Sequence, residues 1–167
     1  MRRISFICAL CVFLLLSAGA ATARNTATAR NRGAGDGTLV VKNGTGAFKL
    51  QARGGVTGHF ADGILTVKDF NSDDDVDAVV TGAEHTRSVT DQVTKYWGHD
   101  VRFRFIGGRF QISLAGTGVG LSAIGRGVFQ VKGAGTDDDG SFSLNGASFQ
   151  SITTALQTFP LQATATP

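Results

Sequence analysis

Asp100 to Lys132, DVRFRFIGGRFQISLAGTGVGLSAIGRGVFQVK, decides the fold class of this chain. Val101, Phe103 and Phe105 alternate with Arg102 and Arg104, and the same two-residue period returns after each glycine cluster. A period of two places successive side chains on opposite faces of a strand, so this stretch predicts short β-strands with one apolar and one polar face.

The segment from Asp36 to Lys68 reads as an earlier copy. Leu39 aligns with Val101, Val41 with Phe103, Phe48 with Phe110, Leu50 with Ile112 and Gly54 with Gly116. After a slip in the GTGVG region, Gly63 to Lys68 aligns with Gly127 to Lys132, and Asp73-Asp74-Asp75 with Asp137-Asp138-Asp139. Agreement that runs through strands and loops points to an internal duplication, with copies at 36–83 and 100–147 joined by a linker, 84–99. Each copy reads as about five strands, with starts at the spacing of antiparallel meanders. Asn43-Gly44 reads as a two-residue hairpin turn. One copy leaves its apolar face wet, whereas two close it. The expectation is an all-β domain over 36–152, an antiparallel sandwich or barrel of about ten strands. The rival is a glycine-rich β-solenoid, whose repeat is usually far shorter than this one.

The N-terminus, MRRISFICALCVFLLLSAGAATA, has a basic start, an apolar core and small residues at Ala18-Gly19-Ala20 and Ala21-Thr22-Ala23. That is the pattern of a secretory signal peptide over 1–23, cleaved after Ala20 or Ala23. An uncleaved anchor over Ile4 to Ala23 is the alternative. Cys8 and Cys11 both lie within it, so the mature chain is expected to lack disulfide and thiolate chemistry. Residues 24–35 read as a flexible leader, and 153–167 as a last strand around Leu156 and Phe159 followed by a frayed tail. The formal charge is +3. Loss of Arg2 and Arg3 brings the mature chain close to balance, which argues against a nucleic-acid partner. Membrane contact is expected only through the signal segment, and the location is secreted or extracytoplasmic.

Few residues carry recognisable chemistry. Asp73, Asp75 and Asp77 in one acidic loop, and Asp137 and Asp139 in the other, set hard oxygens at alternating positions, a pattern that suits calcium, although neither loop is an EF-hand. The bland reading is a solvated turn. Tyr96-Trp97 is an aromatic pair that would stack on a sugar or dock a partner, or else plug the end of the core. His59, His85 and His99 lack metal-ligand spacing. A zinc site, or a hydrolytic site, would need them gathered with Asp62 in space. Arg102, Arg104 and Arg109, with Lys49 and Arg53, suggest a basic stripe or a solvated face. Asn43-Gly44-Thr45 is also a glycosylation sequon.

The motifs RFRFIGGRFQISLAGTGVGLSAIGRGVFQVKG, GAFKLQARGGVTGHFADGILTVKDF and GAEHTR resemble those of a group of small secreted bacterial all-β proteins of uncharacterised function, loosely those of high-GC soil bacteria. The resemblance implies export and an all-β fold, and brings no activity, cofactor or site. The functional expectation is an exported, non-enzymatic structural or binding protein of the cell envelope or extracellular space, with a surface polymer or a protein as its partner. The alternatives are a calcium-dependent binding module and a hydrolase.

Overall fold

The computed structural model describes residues 35–70 and 77–163. The expected signal segment over 1–23, the expected leader apart from Gly35, the centre of the first acidic loop and the last four residues lie outside them. Among the described residues there is no helix. Seven strands among the described residues form one antiparallel sheet that does not close into a barrel: β1 (Gly37–Asp69), β2 (Asp77–Thr81), β3 (His85–Thr90), β4 (Val93–Gly133), β5 (Ser141–Leu144), β6 (Gln150–Ser151) and β7 (Gln157–Leu161).

Two of these strands are far longer than the expected units, because runs that look separate in sequence are joined through glycine corners. β1 and β4 form an antiparallel ribbon that coils and meets itself. Phe48 of β1 faces Leu114 of β4 on one side and Val131 of β4 on the other. Those two partners stand 17 residues apart (131 − 114), which is one turn of the coil. The ribbon bends at each half turn, so the sheet folds over into two layers.

The first layer runs β3, then 93–99 of β4, 62–69 of β1, 109–116 of β4, 46–53 of β1, 126–133 of β4, and β7. The second runs β2, then 101–106 of β4, 55–60 of β1, 119–125 of β4, 37–42 of β1, β5 and β6. Aromatic contacts join the layers. The rings of Phe129 and Phe142 lie 5.8 Å apart, those of Phe105 and Phe110 6.3 Å, and those of Phe142 and Phe159 4.9 Å. The sandwich expectation therefore holds, and antiparallel pairing throughout removes the solenoid.

The corners depend on glycine. Gly54 (φ 143°) and Gly125 (φ 152°) face each other where β1 and β4 both change layer. A Cβ on Gly125 would fall 2.1 Å from the Arg53 carbonyl oxygen, and one on Gly54 2.2 Å from that of Ile124. Only a residue without a side chain allows this approach. Asn43-Gly44, expected as a hairpin turn, is instead a bulge within β1: Asn43 takes φ 49°, and the register slips between Val41 and Gly44. The strand turns its corner here without reversing.

The core follows the alternation read from sequence. Leu39, Leu50, Phe60, Leu65, Val101, Phe105, Phe110 and Phe129 are fully buried between the layers. Leu156, expected in the last strand, precedes β7 and is 66 % exposed, while Phe159 packs against the core.

Candidate functional site

Alternation that sends the phenylalanines inward sends a defined set of residues outward, and pairing sets them in rows. On the first layer one row runs His85, Trp97, Ile64, Ala115, Ala47, Lys132. The next runs Arg87, Lys95, Thr66, Ser113, Lys49 and Gln130, ending at Thr158, whose hydroxyl accepts a hydrogen bond from Gln130 Nε2 at 3.3 Å. A third holds Lys68, Gln111, Gln51 and Val128, and the last sets Arg53 between Arg109 and Arg126. A groove of about 410 Å³ lies along the first two rows, floored by Lys49, Ile64, Thr66, Ser113, Ala115 and Gln130, with Leu156 at one end.

Charge is segregated on this scaffold. Every Lys and Arg among the described residues lies on a strand, whereas the acidic residues stand at corners, strand ends and loops. None of the outward positions in those four rows is acidic. Arg53 faces Arg109 and Arg126 in register, and Arg87 faces Lys95. Directly opposed like charges destabilise a sheet. Asp36 lies 3.3 Å from Arg126, and the Arg109 guanidinium sits 5.6 Å from the Phe70 ring centroid.

The basic stripe expected from Arg102, Arg104 and Arg109 with Lys49 and Arg53 is divided between two faces. Arg102 and Arg104 pair with His59 and Thr57 on the second layer, whereas Arg109 pairs with Arg53 on the first. The corner at Gly107 (φ 90°) and Gly108 (φ 56°) carries β4 across between them.

Tyr96 and Trp97 do not form one exposed aromatic pair, because adjacent strand residues face opposite ways. Tyr96 is half-buried against the core. Trp97 lies on the outer face, half-buried, with the His85 ring 5.4 Å away.

Nor do the histidines gather as a zinc or hydrolytic site would require. His59 lies on the second layer, its ring over Gly120, and His85 rests on Trp97. Asp62 instead meets His99. His99 Nε2 lies 3.6 Å from Asp62 Oδ2, and His99 Nδ1 lies 3.0 Å from Glu84 Oε1. The hydrogen bond to Glu84, aided by the charge of Asp62, raises the His99 pKa, and the same bond lowers that of Glu84. With side-chain exposures of 68 %, 67 % and 52 % for His99, Asp62 and Glu84, this trio is a solvated pin. It ties the β4 corner to the residues before β3, beside the Glu84 amide that donates to the Trp97 carbonyl at 3.2 Å.

Of the calcium candidates, Asp73 and Asp75 lie outside the described residues, and only the backbone of Asp77, at the start of β2, is described. Asp137 is exposed. Asp139 is buried and already engaged. Its Oδ2 accepts from the Gly135 amide at 2.8 Å, and its Oδ1 accepts from the Thr136 amide at 3.0 Å and hydroxyl at 2.6 Å. These bonds, that of the Thr136 hydroxyl foremost, lower its pKa. Asp139 thus staples its own loop back onto the residues before it, while Asp138 makes the Asx-turn, its Oδ1 accepting from the Gly140 amide at 2.8 Å. Among the described residues no three His, Cys, Asp or Glu side chains are grouped to hold a metal ion. Asn43 of the sequon is exposed at its bulge.

Sequence reasoning missed the row structure. Its signal was present in the outward sets Lys49-Gln51-Arg53 and Gln111-Ser113-Ala115, but only pairing shows that they adjoin. No family model, no curated protein and no solved structure matches the chain.

Proposed function

We propose that this chain is an exported, non-enzymatic β-sandwich protein of the cell envelope or extracellular space, and that it binds its partner through the outer face of its first layer. The observation that carries this reading is the composition of that face: a groove floored by Ile64, Ala115, Thr66 and Ser113, bordered by lysines and arginines, with no acidic side chain in its rows. A face kept only for solubility is better served by interspersed charges of both signs. The N-terminal pattern over 1–23 supports export. A duplicated origin is part of the same reading. The pairs Phe48–Leu114 and Ala52–Phe110 exchange when the two copies are swapped, which supports it.

The test is fractionation of a bacterium expressing the full chain, beside a Lys49→Gln/Lys95→Gln variant. The expected outcome is an extracytoplasmic protein beginning at Ala21 or Arg24. The wild type is held on the envelope and released by salt, and the variant passes into the medium. Retention of the intact N-terminus in the cytoplasm would overturn export. Equal envelope retention of wild type and variant would overturn the assignment of the face.

A further inference from the structure

We infer that the ligand of this face is an extended acidic polysaccharide, its carboxylate or sulfate groups held by the strand-borne lysines and arginines and its sugar rings laid along the row from Trp97 through Ile64 and Ala115 to Ala47. The inference rests on the binding reading above and specifies its ligand. Three features support it.

The first is charge complementarity. Lys49 and Lys95 stand in one row and Lys68, Arg53 and Arg109 in the next two, while the acids sit at corners, strand ends and loops, with Asp36 against Arg126 at the edge of the last row. Such a field attracts polyanions. The second is that the arrangement opposes stability: Arg53 is flanked in register by two further arginines, and Arg87 by Lys95. Local choices that conflict with the fold concentrate at functional sites.

The third feature separates a glycan from a nucleic acid. Single-stranded nucleic acids need aromatic platforms among the charges, one for each stacked base. Here the floor beside Lys49 is aliphatic and hydroxylic, with Ile64 and Ala115 next to Thr66 and Ser113, Gln130 in the same row as those hydroxyls, and Gln111 and Gln51 in the flanking row. Amides and hydroxyls match sugar hydroxyls, and Ile64 (48 % exposed) offers an apolar contact for the C–H face of a pyranose ring. Trp97, at the margin and against His85, provides one stacking surface. Strand spacing of about 4.8 Å makes the six-residue row about 24 Å long, enough for several sugar units.

The experiment is titration calorimetry of the purified full chain with polygalacturonate, with neutral dextran, and with a single-stranded DNA oligonucleotide of matched charge. The expected result is binding to polygalacturonate alone. If about three anionic groups are engaged, a fourfold rise in salt weakens that binding roughly 20-fold, by the counterion-release slope of a single-stranded polyanion. Lys49→Gln/Lys95→Gln lowers the salt slope by about 1.4 on the same scale, and Ile64→Gln weakens binding at unchanged slope. Arg102→Gln/Arg104→Gln, on the opposite layer, leaves both unchanged. Tighter binding of the DNA, or equal loss from the opposite-layer variant, overturns the inference. Absence of polygalacturonate binding, while Lys49→Gln/Lys95→Gln still releases the protein from the envelope, overturns the ligand class alone. Equal envelope retention defeats the binding reading itself.

Discussion

Replacing Gly125 with alanine tests the coiled ribbon at its most demanding corner. Gly125 has φ 152°, and its new Cβ would stand 2.1 Å from the Arg53 carbonyl oxygen. Two costs add. Holding a residue with a side chain in that backbone region costs about 1–3 kcal/mol. The carbonyl belongs to the paired strand, so relief requires a backbone shift of the overpacking kind, about 1–3 kcal/mol more. A total of about 2–6 kcal/mol is a large part of the 5–15 kcal/mol that holds a domain folded. Gly146→Ala is the control. Gly146 has φ 75° but nothing within 4 Å of the added methyl group, so only the backbone cost of about 1–2 kcal/mol applies. Urea unfolding followed by tryptophan fluorescence reads both, since Trp97 lies on the ribbon. Gly125→Ala is expected to unfold at clearly lower urea than Gly146→Ala, with the slope unchanged. A Gly125→Ala midpoint equal to or above that of Gly146→Ala would refute the close approach of Gly54 and Gly125, and with it the corner that folds the sheet over.

His99 gains its partner Glu84 on folding, and its raised pKa means that the contribution is complete below about pH 6.5 and lost as pH rises through the folded-state value; His99→Gln should flatten the melting temperature across that window. Asp139 has a lowered pKa, so its contribution is complete above its unfolded-state value and lost as pH falls through the folded one, and Asp139→Asn should remove that acid dependence in a melting series. Because both Asp139 oxygens already accept hydrogen bonds, millimolar calcium should leave the melting temperature where chelator leaves it; a rise of several degrees that Asp137→Asn abolishes would reinstate the second loop as an ion site. Phe142 joins the layers through Phe129 and Phe159, and Phe142→Ala should cost about 3–5 kcal/mol in denaturant unfolding.

The core was legible because alternation is a local property. Phe48, Leu50 and Ala52, and likewise Val101, Phe103 and Phe105, all point inward as their spacing requires. Strand number was not legible, since a glycine that ends a strand and one that bends it leave the same mark in sequence; the paired contacts at Gly54 and Gly125 exist only once both strands are placed. The same limit applied to Asn43-Gly44, where the αL conformation demanded by a hairpin also serves a bulge. The site was only partly visible for a related reason. Arg104 and Arg109 are five positions apart, yet the bend at Gly107 and Gly108 puts them on opposite layers. Conversely, Lys49 and Gln130 are distant in sequence and adjoin across a strand pair.

A face that sets like charges in register makes a prediction opposite in sign to that of ordinary surface substitutions, most of which are neutral or mildly destabilising. Arg53 is exposed, faces Arg109 on one side and Arg126 on the other, and belongs to a row with no acid in it. Removing its charge relieves cross-strand repulsion on both sides, an effect on the order of 0.2–1 kcal/mol per pair, reduced where Asp36 already lies against Arg126. Arg53→Gln should therefore raise the unfolding midpoint slightly at low salt. The gain should vanish in 1 M salt, where screening reaches about 3 Å and the wild type no longer suffers the repulsion. The same substitution should weaken polygalacturonate binding, so stability and affinity move in opposite directions. A drop in both would mean that Arg53 is held by contacts that stabilise the fold, and the row would then be a structural feature of the sheet.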